Sequence, residues 1–136
     1  MAEPQEKLLE MPITSDEDVI TARQKVRAIA QQQGFSMLDQ TRVVTAVSEL
    51  GRNIVVHAGK GEMIVYRAEE GDRDGISIIF ADNGPGIADV DQALIDGYST
   101  VGSMGLGLKG ASRLVDRFNI ESNPGAGTTI TITKWL

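Results

Sequence analysis

The chain has 136 residues, 41% of them hydrophobic and 24% charged, the proportions of one globular domain over residues 1–136 that buries its own core. A formal net charge of −6 and an aromatic content of 4% argue against a nucleic-acid-binding face or a base-stacking platform. The absence of cysteine excludes disulfide and thiolate chemistry and fits a reducing cytoplasm, and no apolar run approaches the roughly 20 residues that span a bilayer.

The opening MAEPQEKLLEMPI lacks a signal-peptide pattern. Within it, residues 7–13 alternate with Leu9, Met11 and Ile13 on one face, and Pro12 marks them as an edge strand. Ser15 and Asp18 resemble a capping box, after which Val19, Ala22, Val26, Ile29 and Ala30 recur at helical spacing until Gly34. A second helix begins near Asp39, carries the stripe Val43, Val47, Leu50 and Ile54, and ends at Ala58-Gly59. Strands are predicted over 62–68 and 75–81, joined by the turn-rich EEGDRDG. The stretch 82–87 (DNGPGI) is irregular, 89–95 is a short helix and 97–105 a flexible loop. Leu106, Ala111, Leu114, Val115 and Phe118 mark a third long helix, and strands over 117–122 and 128–135 flank the turn NPGAG. Short turns between neighbouring strands imply antiparallel pairing. The expected class is an α/β two-layer (α+β) sandwich, with helices on one face of a mixed, mostly antiparallel sheet.

Four local patterns carry chemistry. Glu49 and Asn53 are four apart on the second helix and share a face, with the stripe through Leu50 and Ile54 directed elsewhere. A carboxamide oxygen is a hard ligand for Mg²⁺ and a carboxylate can serve as a general base, although a solvated helix face is by itself the commoner explanation of such a pair. Asp82-Asn83-Gly84-Pro85-Gly86 follows the apolar strand ISIIFA. An acceptor-only carboxylate at a strand end, followed by glycines, can read an exocyclic amine, and an ordinary turn is the competing reading. Gly102-Ser103-Met104-Gly105-Leu106-Gly107 opens a helix, where exposed N–H groups suit phosphate oxygens. The match of GLGLKG (105–110) to a dinucleotide fingerprint is discounted, because no strand precedes it directly and no βαβ unit surrounds it. Gly125-Ala126-Gly127-Thr128-Thr129 reads as a hairpin whose threonines could reach a nucleotide. His57, the one histidine, lies four residues beyond Asn53; a structural role, or one supporting a neighbouring site residue, is favoured over a phospho-accepting or catalytic one, since no carboxylate is obviously placed to orient it.

Taken in order, EₓₓₓN at Glu49 and Asn53, DNGPG at Asp82, GSMGLGL at Gly102 and GAGTT at Gly125 resemble the N, G1, G2 and terminal glycine–threonine boxes of the GHKL superfamily, which includes gyrase, Hsp90, histidine kinases and MutL. Within it the chain is similar to the small anti-sigma-factor kinases. VSELGRNI, HAGKG, TARQ, DGYST and the terminal KWL are most like the RsbT-type switch kinases of the stressosome. The resemblance implies a Bergerat ATP-binding fold and a protein serine/threonine kinase using ATP and Mg²⁺. It implies that Asn53 holds the metal and that Glu49 is the catalytic base. Asp82 reads adenine with close approach at Gly84 and Gly86. Gly102, Gly105, Leu106 and Gly107 cradle phosphates, and Thr128 or Thr129 supports the adenine end. The lid would be small, over about residues 88–104.

The implied substrate is a STAS-domain antagonist protein in a partner-switching pathway, the implied activated target a PP2C-type phosphatase, and the place of action the cytoplasm, without nucleic acid or membrane. Three rivals remain: an anti-sigma kinase that sequesters a sigma factor, a nucleotide-gated binding module without catalysis, and a free ATPase. Retention of Glu49 argues against the second, and the third is weak for want of coupling domains.

Overall fold

The computed structural model describes residues 6–84 and 104–136. In chain order these form β1 (Lys7–Ile13), α1 (Asp16–Gln33), α2 (Met37–Asn53) prolonged by one π-helical turn (Ile54–Ala58), β2 (Gly61–Glu70), β3 (Arg73–Asp82), α3 (Met104–Leu114), β4 (Arg117–Asn123) and β5 (Gly127–Trp135). The five strands make one sheet in the order β1-β2-β3-β5-β4. Where a mixed sheet was expected, every pairing among the described strands is antiparallel. The hairpins β2–β3 and β4–β5 fix two pairings by their short turns, and β1–β2 and β3–β5 complete the ladder.

Local chemistry sets the helix ends. Ser15 caps α1, its Oγ accepting from Asp18 N–H at 3.2 Å, while Asp18 Oδ2 accepts from both Thr14 N–H (2.9 Å) and Thr14 Oγ1 (2.7 Å). Asp16, Glu17 and Asp18 place negative charge in the first turn, where the helix dipole favours it. The helix stops at Gly34, left-handed at φ 94°, with Gly34 and Phe35 N–H groups satisfying the Gln31 and Ala30 carbonyls. Ser36 caps α2 through Asp39 N–H, so this helix begins two residues before the predicted start.

The helices lie on one face of the sheet. Val19, Ala22, Val26 and Ala30 of α1, Val43, Val47 and Leu50 of α2, and Leu108 and Ala111 of α3 pack with Met11, Ile13, Met63, Val65, Ile76, Ile78, Phe80, Ile130 and Ile132 in one core. These sheet residues alternate along each strand, as a half-covered sheet requires. At the far end of β5, Trp135 is buried under the Arg73 and Arg117 guanidinium groups, 4.7 and 5.3 Å from its ring centroid, and its backbone N–H donates to Asp116 Oδ2 at 2.7 Å.

Two predicted boundaries shift. Residues 104 and 105, assigned to a loop, already belong to α3. Phe118, counted both in the stripe of the third helix and in the strand over 117–122, lies in the strand, β4, where it and Ile120 pack against the core with period two. The spacing Leu114 to Phe118 fits a helix by itself, but the alternation that follows belongs to a strand. The predicted helix over 89–95 and most of the predicted loop lie outside the described residues.

Candidate functional site

The register of the sheet brings three of the patterns to one end of the molecule. Gly61, Asp82, Thr128 and Ser122 are successive partners across β2, β3, β5 and β4, so one rung carries them side by side. On the helical face of this rung lies a small cavity. Asp82 and Phe80 of β3, Thr128 and Ile130 of β5, and Leu108 of α3 form part of its wall. The end of α2 closes it with Leu50, Asn53 and Ile54. Asn53, Asp82 and Thr128, drawn from three separate sequence patterns, therefore converge on one space. The expectation that the stripe through Leu50 and Ile54 points away from Asn53 is corrected here. Leu50 precedes Asn53 by three residues, about 60° around a helix, so both side chains border the cavity.

Each polar group of this cavity has a defined state. The Asn53 Nδ2 atom is buried and has no hydrogen-bond partner among the described residues. A carboxamide exchanges its oxygen and nitrogen ends by a flip, so this is an orphaned amide end waiting for a donor, an acceptor or a metal. Asp82 Oδ1 accepts from Gly84 N–H at 2.8 Å, which ties the carboxylate to its own loop and leaves Oδ2 for a further donor. Thr128 is 6% exposed, and its Oγ1 is 2.8 Å from Ser122 Oγ. Thr129, next in sequence, is exposed on the opposite face of β5, so of the two threonines only Thr128 is brought to the cavity.

Two glycines make these approaches possible. A Cβ on Gly84 would lie 2.6 Å from Ala58 Cβ, so the loop after β3 passes directly against the π-helical turn after α2. Gly127 has φ 90°, and a Cβ there would run into the Asp82 carbonyl. Asp82 and Asn83 also border a larger hollow of about 590 Å³, with Ala58, Lys60 and Gly61 from the turn before β2 and Glu10, Pro12 and Glu62 from β1 and β2. A hollow of this size falls in the range of small-molecule sites.

Glu49, one turn before Asn53, is exposed and lies outside the lining of the small cavity. Gly105, Leu106 and Gly107 occupy the first turn of α3, whose leading N–H groups have no partner within the helix. Gly86 and Gly102 lie outside the described residues, as does the Tyr98-Ser99-Thr100 segment. Arg52 and Lys60 are exposed, and His57 is half-buried within the π-helical turn. No group of three or more His, Cys, Asp or Glu able to hold a metal occurs among the described residues, so a divalent ion here would need ligands from its anionic partner beside Asn53. None of the described helices is long and apolar enough to cross a membrane.

Sequence reasoning missed Ser122 and Ala58. Ser122 sits in a strand with no motif around it, and only the β4–β5 register places it beside Thr128. Ala58 was visible only as the end of a helix.

Residues 38–136 match the family model for the histidine kinase-, DNA gyrase B- and HSP90-like ATPases. The chain is 44% identical over 124 residues to the serine/threonine-protein kinase RsbT of Bacillus subtilis (strain 168), a match covering 91% of this chain and 93% of that one. It is 32% identical over 120 residues to an anti-sigma F factor of Caldanaerobacter subterraneus, covering 85% of this chain and 83% of the relative. Among solved structures, that of the RsbU and RsbW domains of Rv1364c from Mycobacterium tuberculosis has a TM-score of 0.61 at 24% identity. That match covers 93% of this chain and 32% of the solved one, and it is a likeness of fold.

Proposed function

We propose that the chain, which belongs to the histidine kinase-, DNA gyrase B- and HSP90-like ATPase family, is a protein serine/threonine kinase that transfers the ATP γ-phosphate to a hydroxyl of a STAS-domain antagonist protein. The observation that carries this reading is the convergence of Asn53, Asp82 and Thr128 on one cavity, with an orphaned amide at the end of α2. The 44% identity to a serine/threonine-protein kinase supports catalysis over simple nucleotide binding.

The residues fit Mg-ATP in kind. Asp82 Oδ2 accepts one hydrogen of the adenine amine, a group that a keto purine lacks. The glycines at the start of α3 let phosphate oxygens reach backbone N–H groups at the positive end of the helix. Asn53, turned so that its amide oxygen faces the cavity, would hold Mg²⁺, and the metal would supply neutralisation of phosphate charge. Phosphoryl transfer needs positioning and charge compensation more than covalent help. Glu49 lies one turn from Asn53 and is exposed, where the hydroxyl of another protein can reach it and give up its proton.

In the cytoplasm this reaction works as a switch. The unmodified antagonist holds the kinase, and a phosphoryl group of about −2 charge on the product is repelled by a chain of net charge −6. The released kinase then engages a PP2C-type phosphatase. The identities of about 30% to anti-sigma F factors favour a second reading, in which the released partner is a sigma factor. Incubating the pure protein and γ-labelled Mg-ATP with a dephosphorylated lysate of its source tests the main reading. One band carrying phosphoserine or phosphothreonine is expected. ATP binding without any dependent band moves the protein to a nucleotide-gated binding module, and co-purification of a sigma factor favours the second reading.

A further inference from the structure

We infer that Arg52 selects the protein substrate: its guanidinium reads a carboxylate that lies beside the accepting hydroxyl. The inference rests on the reading of Glu49 as the base and adds to it one specificity residue.

Successive residues of an α-helix stand about 100° apart, which places the side chains of α2 around its axis. With Asn53 as the origin, Leu50 stands about 60° to one side, and both border the cavity. Glu49 stands about 40° to the other side, with Thr45 at about 80° and Arg52 at about 100°. Burial along α2 follows the same division. Val43, Val47 and Leu50 are buried on the first side, and Thr45, Glu49 and Arg52 are exposed on the second. Val56, in the π-helical turn that follows, is 59% exposed. Glu49 therefore stands at the border between the nucleotide cavity and an open face that carries Thr45, Arg52 and Val56.

A second protein that brings a hydroxyl to Glu49 has one side to come from. Asn53 and the ATP phosphates take the cavity side, so the incoming segment lies across Arg52. The side chains of Glu49 and Arg52 have no hydrogen bond or ion pair among the described residues. In a chain of net charge −6, an unpaired guanidinium beside the base complements a carboxylate on that segment. Its fork binds a carboxylate through two parallel N–H bonds, which fixes the direction of approach as well as attracting it. Val56 offers the same segment an apolar contact.

An anion for Arg52 has two sources, a substrate carboxylate and the nucleotide phosphates. The angles favour the first, because Arg52 and the cavity lie on opposite sides of Glu49. Arg52 also sits in the last turn of α2, where a cation complements the helix dipole, a purely structural role.

The test follows phosphoryl transfer by the full chain to the labelled protein recovered from the lysate assay, varying that protein and Mg-ATP in turn. Arg52→Gln is expected to raise the KM for the protein about 3-fold. Arg52→Glu, which sets like charges against each other, is expected to raise it about 10-fold. The kcat, the KM for Mg-ATP and the thermal midpoint stay near wild type in both. Arg52→Lys, which keeps the charge and loses the fork, is expected to fall between wild type and Arg52→Gln. If Arg52→Glu does not fold, Val56→Asp takes its place, and a wild-type KM for the protein in that variant overturns the inference. A lowered thermal midpoint with an unchanged KM for the protein assigns Arg52 to the helix dipole and overturns it. A loss confined to kcat or to Mg-ATP affinity assigns Arg52 to the phosphates and also overturns it. If wild type labels no protein, the kinase reading fails and the inference falls with it. If wild type labels a protein and every variant keeps the wild-type KM, the role of Arg52 alone fails.

Discussion

Replacing Asn53 by leucine should make the nucleotide-free protein more stable while abolishing its response to Mg-ATP. The two side chains have the same branched shape, so the substitution changes polarity more than volume. In the wild type the amide end at Nδ2 is buried without a partner among the described residues. Of the residues that share its cavity, Leu50, Ile54, Phe80, Leu108 and Ile130 are apolar, and Asp82 and Thr128 are polar. A buried polar group left unsatisfied costs about 1–3 kcal/mol, and removing it recovers that amount. For a chain of this size each kcal/mol moves the thermal midpoint by about 4 °C, so the nucleotide-free variant should melt roughly 4–12 °C higher. Wild type with Mg-ATP at 100 times its Kd should gain about 2.7 kcal/mol by mass action, and the variant should gain almost none. Thermal melts of both proteins, with and without Mg-ATP, measure all four states. A nucleotide-free variant that melts lower than wild type, or one that keeps the full Mg-ATP shift, refutes the reasoning.

Gly84→Ala should destabilise by about 1–3 kcal/mol, because the new Cβ falls 2.6 Å from Ala58 Cβ and 3.1 Å from Asp82 Oδ1. Adding Ala58→Gly should recover part of the loss in a denaturant double-mutant cycle, and additive effects would show that the two loops do not touch. Asp116→Asn should lower stability at neutral pH. Burial of the Asp116 carboxyl opposes ionisation, but the Trp135 N–H and the Lys134 ammonium outweigh it and hold its pKa below the ordinary 3.8. A depressed folded pKa gives stability that is present above the unfolded value and lost as pH falls through the folded one. Denaturant midpoints of the two proteins should therefore differ by a constant amount from pH 7 down to about 4 and converge below it. A gap that widens on acidification would reverse the assignment.

The elements that periodicity defines were legible in the sequence. The stripe Val19, Ala22, Val26, Ala30 and the alternation Leu9, Met11, Ile13 each arise from one face meeting the core, and both faces are covered as the pattern requires. Helix ends with a cap residue, Ser15 and Gly34, were legible because capping is a local hydrogen-bond problem. Phe118 was counted in both the third helix and the following strand because a single four-residue spacing is common to a helix and to the junction of a helix with a strand. The candidate site was readable as an ordered set of motifs but not as a geometry. That Thr128 rather than Thr129 reaches the cavity follows from strand parity, which a Gly-rich turn of uncertain length leaves open from the sequence alone. Ser122 and Ala58 act through cross-strand register and close approach, and neither leaves a local signal in the chain.

The most direct test of the central claim is the rate of phosphoryl transfer by Glu49→Gln, measured in the same preparation as its affinity for Mg-ATP. Glu49 is exposed and outside the lining of the small cavity, so nucleotide affinity and thermal stability should stay near wild type. Transfer to the protein hydroxyl should fall by roughly 10²–10⁴-fold, the usual worth of a positioned general base. Undiminished transfer at unchanged affinity would contradict the account, because the chemistry would then proceed without the one carboxylate assigned to it.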